Sequence, residues 1–294
     1  MKKQLKIWLG VLLAVGIGAV TWWYLRRHMV ALLQPAGQIG EKERNLLYFC
    51  AAISVLVVVP VFWLLIHFAW KYREGNKKAT YDPDQHGSWQ LETVWWLIPT
   101  LLIGVISVIT WRSSYALDPY KRLASAKPTM HIQVVALDWK WLFIYPEQHV
   151  ASVNEVVVPV GTPVDFEITS DTVMSSFWVP QLGGQMYAMP GMATVLNLKA
   201  DREGNYRGLS ANIGGKGFAD MKFVVRATSG DDFKQWVAMT QHARDALTPT
   251  SYAVLSRHAT QTKPSYYSSV DPELYDTTVM KYMMPMTSAD AEAK

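Results

Sequence analysis

Residues Leu46–Trp70 read "LLYFCAAISVLVVVPVFWLLIHFAW", an apolar run of 25 residues with no Asp, Glu, Lys or Arg. As a helix this run is about 37 Å long, which exceeds the ~30 Å hydrocarbon core of a bilayer. Pro60 lies in its middle and predicts a kink, which membrane helices tolerate when neighbouring groups satisfy the freed carbonyl. His67, near its end, is interpreted as an interface residue rather than a metal ligand. The run therefore predicts a tilted transmembrane helix.

A second apolar run, Val94–Trp111, contains Pro99 and has tryptophans at its ends, as is typical of the membrane–water interface. Between the two runs, residues 71–78 read "KYREGNKK", with four basic side chains and one glutamate. Because basic loops remain in the cytoplasm, residues 113–294 are predicted to lie on the outer side, which is the periplasm in a bacterium. The pair of runs predicts a multi-pass protein of the inner membrane.

A further apolar stretch, Ile7–Leu25, follows a basic start and suits either a signal peptide or a signal anchor. Its end is bulky and lacks a small-residue cleavage site, so an uncleaved anchor is favoured, and a processed signal remains the alternative. The only cysteine, Cys50, lies inside the membrane run. Neither a disulfide within the chain nor a Cys-pair metal site is therefore possible.

From Thr129 the pattern changes to short runs of β-forming residues separated by Gly, Pro, Asn and Asp. Examples are "KWLFIY" (140–145) and "NEVVVPVGTPVDFEITS" (154–170). Seven to nine strands are predicted over roughly 100 residues, and this spacing favours a β-sandwich or a small Greek-key barrel.

After Thr228 the signal becomes helical, with Ser229 or Asp231 as the predicted cap of a first helix. Its predicted buried face consists of Phe233, Trp236, Val237 and Thr240. Two more helices are expected around Ser251–His258 and Pro272–Met284, and residues 287–294 are expected to be disordered. The predicted organisation is a signal peptide or anchor with its linker (1–45), a transmembrane hairpin (46–112), a periplasmic β domain (113–228) and a helical extension with its tail (229–294).

Few patterns in this sequence indicate chemistry. A net charge of +4 with scattered basic residues gives little support to nucleic-acid binding. His131 and His149 are interpreted as surface or strand-end residues, and no phosphate loop, paired carboxylates or Ser-His-Asp arrangement is found. The methionines of the tail suit packing against a partner better than Cu(I) binding, although thioethers can bind Cu(I). They are Met280, Met283, Met284 and Met286.

Glu92 is the one ionisable residue singled out for function, in "LETVWWLIPT" (91–100) at the cytoplasmic end of the second run. An ionisable residue at a membrane boundary is a candidate functional site. The alternative is a solvated carboxylate that stabilises the start of the helix through its macrodipole.

Several long motifs in this order resemble subunit II of the haem–copper terminal oxidases, and most closely its quinol-oxidising, cytochrome bo-type branch. They are "LLQPAGQIG" (32–40), "WKYR" (70–73), "LETVWWLIPT" (91–100), "DWKWLFIYPE" (138–147), "DTVMSSFWVP" (171–180) and "QMYAMPGM" (185–192). The resemblance covers about residues 32–285. It implies a membrane-anchored α+β fold, in which a transmembrane helical hairpin is followed by a cupredoxin-like β-sandwich and a C-terminal helical extension.

Copper-bearing members of this family hold a dinuclear centre in a "CxExCGxxHxxM" loop with a further histidine upstream. When this pattern is placed on "SANIGGKGFADM" (210–221), the two bridging cysteines fall at Ser210 and Gly214. The other ligand positions are Ser175, Asn212, Phe218 and Met221, and Gly215 keeps the glycine of the pattern. The resemblance therefore implies that this chain holds no metal or other cofactor and has no catalytic residue of its own.

The implied function is that of a non-catalytic subunit in a proton-pumping ubiquinol oxidase of the respiratory chain. Quinol oxidation and oxygen reduction would occur at haems and copper in the catalytic subunit, with membrane lipid and other subunits as further partners. In relatives, a glutamate at the position of Glu92 lies at the mouth of a proton path. The lipid-modified cysteine of bo-type relatives is replaced by His28, which makes lipid anchoring doubtful. The alternatives are a cytochrome c oxidase subunit II and a membrane-anchored periplasmic binding protein acting alone.

Overall fold

The computed structural model describes residues 30–76, 78–79, 87–259 and 263–283, and before them residues 10, 12, 16–21, 23–24 and 27. The described residues of the first apolar stretch are helical. Its remaining residues, together with His28 and the tail 284–294, lie outside the described part. Retention of that stretch and disorder of the tail both stay predictions. By their contacts, Asn45–Lys121 form one compact unit, and the chain up to Arg44 groups with Arg122–Lys294 in another.

Two long helices make up the membrane part, and both are long and apolar enough to cross a bilayer. Helix α1 spans Gln38–Lys71 and helix α2 spans Trp89–Ala116, with Pro60 and Pro99 inside them as predicted. Each helix is longer than its apolar run. Helix α1 begins eight residues before Leu46, so its first two turns carry polar residues that lie before the hydrocarbon region.

Eleven strands are present in the described residues, and ten of them lie between residues 129 and 228, where seven to nine were expected. The strands are β1 (Met130–Leu137), β2 (Lys140–Tyr145), β3 (Val150–Val153), β4 (Glu155–Pro159), β5 (Pro163–Ser170), β6 (Ser175–Trp178), β7 (Gln185–Ala188), β8 (Thr194–Lys199), β9 (Gly204–Ser210), β10 (Lys222–Thr228) and β11 (Ser265–Tyr267). They form a six-stranded sheet, β11-β3-β2-β1-β5-β8, and a five-stranded sheet, β4-β10-β9-β6-β7. The pairs β1–β5 and β4–β10 are parallel, and the other pairs are antiparallel.

Asn154 lies between β3 and β4, which belong to different sheets. Its φ of 58° ends β3 and sends the chain into β4 of the other sheet. Asparagine tolerates this left-handed conformation better than most residues. Its side-chain oxygen also accepts a hydrogen bond of 2.8 Å from the Trp141 backbone N–H. The predicted run 154–170 begins at this corner, and β3 on its other side was not among the predicted runs.

Aromatic side chains fill the space between the two sheets. Trp141, Phe143, Phe166 and Phe223 surround Phe177, whose ring centroid lies 4.9 Å from that of Phe223 in a stacked arrangement. All five side chains are buried. Because every residue of β2 is buried, "KWLFIY" has apolar residues facing both sides of its sheet.

The second face of the six-stranded sheet is covered by the C-terminal extension, which contains helices α3 (Gly230–Gln241), α4 (Pro249–Leu255) and α5 (Leu274–Met280). Ser229 caps α3, and Phe233, Trp236 and Thr240 are buried, which confirms these predictions. Helices α4 and α5 are shorter than expected. Leu247, Leu255, Leu274 and Tyr275 pack on the outward side chains of β1, β2 and β3.

The segment before α1 is hydrogen-bonded to the β domain. The Ala36 N–H donates to the Gln181 carbonyl at 2.7 Å, and the Gly40 N–H donates to the Leu182 carbonyl at 3.0 Å. Gly37 lies so close to the Lys199 carbonyl oxygen that a Cβ at this position would overlap it. The motif "LLQPAGQIG" therefore fixes the beginning of α1 against β8 and the turn after β6.

Candidate functional site

The loop 210–221 joins β9 to β10 and includes a short 3₁₀ helix, Phe218–Asp220. Its two ends meet, because the Ser210 N–H donates to the Met221 carbonyl at 3.1 Å. The Ala211 N–H donates to the Ser176 carbonyl at 3.0 Å, which places the loop beside the start of β6. The structure therefore brings the loop and the segment containing Ser175 together.

Trp139, in the turn after β1, packs against this loop. Its indole Nε1 donates to the Gly214 carbonyl at 3.0 Å. Its ring lies so close to Gly217 that a Cβ there would overlap it. Gly215 has a φ of 101°, a conformation that favours glycine, so the glycine of the family pattern has a backbone role in this chain.

The side chains at the ligand positions carry hydroxyl, amide, aromatic and thioether groups. Ser175 and Ser210 are buried, and Met221 is part of the aromatic core. The Asn212 carbonyl accepts a hydrogen bond from the Ser210 hydroxyl at 3.2 Å. Among the described residues, no group of three or more His, Cys, Asp or Glu side chains could hold a metal. That this chain holds no metal stays a prediction.

Asp171, four residues before Ser175, holds the C-terminal extension through hydrogen bonds, and no pattern near it in the sequence indicates this role. Its side chain is only 2% exposed. It accepts hydrogen bonds from Tyr252 at 2.8 Å, from Lys281 at 2.7 Å and from Tyr282 at 3.0 Å. Burial, followed by the charge of Asp171, raises the pKa of Tyr252 and keeps this phenol protonated as a donor. Met280 and Met283 are exposed, so packing of these two within the chain is not observed.

His131 lies on β1 beside two carboxylates of β5. Its Nε2 is 3.1 Å from Glu167, and its Nδ1 is 3.8 Å from Asp165. These carboxylates, Asp165 first, raise the pKa of His131 to about 9. The partly exposed position at a strand was predicted. The pairing of His131 with the two carboxylates depends on the parallel register of β1 and β5. The only sign of it in the sequence is the alternation of acidic residues in "VDFEI" (164–168), which indicates a charged face on β5.

The stability of the β domain is expected to fall as the pH rises through about 9, because His131 then loses the charge that its two carboxylates bind. The folded-state pKa is raised above that of the unfolded chain, so the contribution is complete below about pH 6.5 and is lost above 9. Urea unfolding of the full chain in detergent at pH 6, 8 and 10 measures this loss. His131→Gln should remove most of the difference in unfolding free energy between these pH values. If the unfolding free energy of this variant still fell with pH as in the parent chain, His131 would not be the group responsible.

Glu92 lies in the first turn of α2, as the sequence predicted. Its N–H donates to the Ser88 carbonyl at 2.9 Å, and its carboxylate lies against Gly87. It lines a groove of about 530 Å³ along one face of α2, together with Trp89, Thr93, Trp96, Leu97 and Thr100. Spacings of three and four positions place Trp89, Glu92 and Trp96 along one side of the helix. The Thr93 and Thr100 hydroxyls donate to the Trp89 and Trp96 carbonyls at 2.8 and 2.7 Å.

The two remaining histidines considered from the sequence, His67 and His149, occupy positions that a structural role explains. His67 is exposed on α1 and stacks on Trp63 with 5.3 Å between ring centroids, which agrees with an interface position. His149 has a φ of 55° in the turn before β3. Neither belongs to a group of three or more His, Cys, Asp or Glu side chains that could hold a metal, within the described part of the chain.

Three family models match the chain. The model of the cytochrome c oxidase subunit II transmembrane domain matches residues 28–112, that of the periplasmic domain matches residues 144–228, and that of the COX aromatic-rich motif matches residues 241–286. Cytochrome bo(3) ubiquinol oxidase subunit 2 of Pseudomonas aeruginosa is 47% identical over 253 residues, which are 86% of this chain and 76% of that protein. The chain belongs to the ubiquinol oxidase subunit 2 family.

Other relatives in the ubiquinol oxidase subunit 2 family are similarly close. The Pseudomonas putida protein named cytochrome bo(3) ubiquinol oxidase subunit 2 is 46% identical over 85% of this chain and 80% of that protein. Ubiquinol oxidase subunit 2 of Acetobacter aceti is 44% identical over 85% of this chain and 82% of that protein. The predicted quinol-oxidising branch is confirmed. So is the fold class, a membrane-anchored α+β protein with a cupredoxin-like periplasmic domain and a C-terminal helical extension.

Proposed function

We propose that this chain is subunit II of a proton-pumping ubiquinol oxidase, and that it supports a catalytic subunit without binding copper or haem itself. The observation that carries the proposal is the side-chain chemistry at the copper-ligand positions, in a chain whose relatives are named ubiquinol oxidase subunit 2. Electrons would pass from ubiquinol to haems and copper in the catalytic subunit, where oxygen is reduced to water.

The chemistry of the ligand positions supports the absence of a dinuclear copper centre. Cysteine thiolates and histidine imidazoles are the soft and borderline ligands that copper prefers. Ser210 and Gly214 provide no thiolate, and Phe218 provides no imidazole. The Met221 thioether lies in an aromatic core and is 3% exposed. The loop therefore keeps its shape through Trp139, Gly215 and Gly217, without the ligands that a dinuclear site needs.

The full chain, purified in detergent without its partners and incubated with Cu(II) and a reductant, is expected to retain less than one copper per molecule. Its visible spectrum should lack the absorbance of a mixed-valence copper pair. Elemental analysis after desalting measures the retained metal. Two coppers per chain together with a purple colour would instead support a cytochrome c oxidase subunit II.

Several features support a position in the inner membrane with the β domain on the outer side. The linker 71–78 is basic, and such linkers remain in the cytoplasm. Residues 36–40 contact the same β domain that follows α2. A chain that is fixed to one domain on both sides of a hairpin crosses the membrane an even number of times between these contacts, as α1 and α2 do.

Glu92→Gln is expected to slow oxygen reduction by the assembled oxidase several-fold, since proton transfer by a positioned carboxylate contributes roughly 10²–10⁴-fold where it is rate-limiting. The amide keeps the size of the side chain but cannot carry a proton. Oxygen consumption with a soluble ubiquinol measures the effect, and the haem content of the purified complex reports its assembly. Glu74→Gln, in the exposed linker, is the matched control. Equal turnover of both variants would make Glu92 a helix-start carboxylate only.

A further inference from the structure

A polar cavity of about 430 Å³ lies where the segment before α1 meets the β domain. Two arginines line it, Arg44 on α1 and Arg202 in the turn before β9. The carboxylate of Glu203 and the side chains of Gln34 and Gln181 line it as well. The cavity therefore combines two positive groups and one negative group, with amides between them.

The two arginines are suited to hold a phosphate group. Arg44 pairs with the exposed carboxylate of Glu41 at 3.2 Å, and Arg202 donates to the Pro35 carbonyl. A guanidinium has five N–H donors in a planar fork, so it can bind a phosphate while it keeps a contact with a carbonyl or carboxylate. Arginine is the preferred side chain for such binding because its fork matches two oxygens of a phosphate.

The position of Arg44 along α1 predicts that the cavity lies at the level of lipid headgroups. Arg44 comes two residues before Leu46, where the apolar run of α1 begins. At 1.5 Å per residue the arginine is about 3 Å from the start of this run along the helix axis. Charged side chains at such a boundary reach into the headgroup region.

The carboxylate of Glu203 determines which lipid headgroup the cavity favours. A purely anionic headgroup would be repelled by its carboxylate, whereas a headgroup with an ammonium beside its phosphate would satisfy both charges of the cavity. A primary ammonium can donate hydrogen bonds to Glu203, which a quaternary trimethylammonium cannot do. We propose that the cavity binds the phosphoethanolamine headgroup of a membrane phospholipid, with its phosphodiester at Arg44 and Arg202 and its ammonium at Glu203.

Native mass spectrometry of the full chain in detergent tests the proposal, with titration of dioleoyl phosphatidylethanolamine, phosphatidylcholine, phosphatidylglycerol and inorganic phosphate in separate arms. Phosphatidylethanolamine should be retained about tenfold more strongly than phosphatidylcholine, which corresponds to one hydrogen bond to a charged group. Inorganic phosphate should not displace it. Equal retention of the two lipids, or displacement by phosphate, would overturn the proposal.

Two variants separate the roles of the charges. Arg202→Gln should lower phosphatidylethanolamine binding roughly tenfold, whereas Arg207→Gln, an exposed arginine on β9 outside the cavity, should leave it unchanged. Glu203→Gln should reverse the preference, so that phosphatidylglycerol binds at least as well as phosphatidylethanolamine. This second variant leaves the contact with Pro35 intact, and it decides the matter if Arg202→Gln unfolds. An unchanged headgroup preference in Glu203→Gln would contradict the proposal.

Discussion

Phe177→Ala is expected to destabilise the β domain by about 3–5 kcal/mol, the usual loss for a large aromatic side chain removed from a core. Phe177 is fully buried and contacts the rings of Trp141, Phe143, Phe166 and Phe223. Strand β6 has only four residues, and it pairs with β7 along its whole length and with β9 at Phe177 and Trp178. The cavity left between the sheets could not be filled without moving several rings at once.

Urea unfolding of the full chain in detergent, followed by tryptophan fluorescence, measures this loss. Phe177→Leu, which keeps most of the volume, should lose less. Met239→Ala, at an exposed position of α3, should change the unfolding free energy by less than about 0.5 kcal/mol. An effect of Phe177→Ala as small as that of Met239→Ala would show that the aromatic cluster does not stabilise the domain.

Asp171→Ala is expected to release the C-terminal extension from the β domain at a cost of about 3 kcal/mol, because three donors lose one buried charged acceptor. Tyr252, Lys281 and Tyr282 all donate to this carboxylate. Lys281 is partly exposed and can turn to solvent, so its share is the smallest of the three. The phenol of Tyr252 is mostly buried, and its other polar partner, the Thr278 hydroxyl, lies at 3.5 Å.

Limited trypsin digestion of the full chain measures this release, since the extension contains the cleavage sites Arg244 and Arg257. Cleavage at these sites should become faster in Asp171→Ala, while the β domain stays resistant. Asp231→Ala removes an exposed carboxylate that pairs with Lys234 and serves as the control. Identical digestion of the two variants would mean that apolar packing alone holds the extension.

Features set by local sequence were predictable in this chain. The two membrane helices follow from the length of their apolar runs, and the capped start of α3 follows from Ser229 and the spacing of Phe233 and Trp236. The position of Glu92 at the beginning of a helix belongs to the same class. In each case the residues that decide the structure lie within a few turns of one another.

Features set by distant residues were not predictable from a single sequence. Asp171 and Tyr252 are 81 positions apart, and nothing near either residue identifies the other. His131 lies beside Asp165 and Glu167 because β1 pairs with β5 in parallel. The alternation of apolar and polar residues in these strands is compatible with other pairings as well, so the sequence alone does not identify this one. The loop 210–221 could be matched to the copper-binding loop of relatives only because the family pattern supplies the spacing of the ligands.

The contact between the beginning of α1 and the β domain has a consequence for the order of events during synthesis. Arg202 is made 167 residues after Pro35, its partner. At 5–20 residues per second, synthesis of the residues between Pro35 and Arg202 takes roughly ten to thirty seconds. During this time the beginning of α1 has no β domain to bind. With the proposed orientation, translocation of residues 122–294 must follow insertion of the hairpin promptly, because residues 36–40 have no β domain to bind until then.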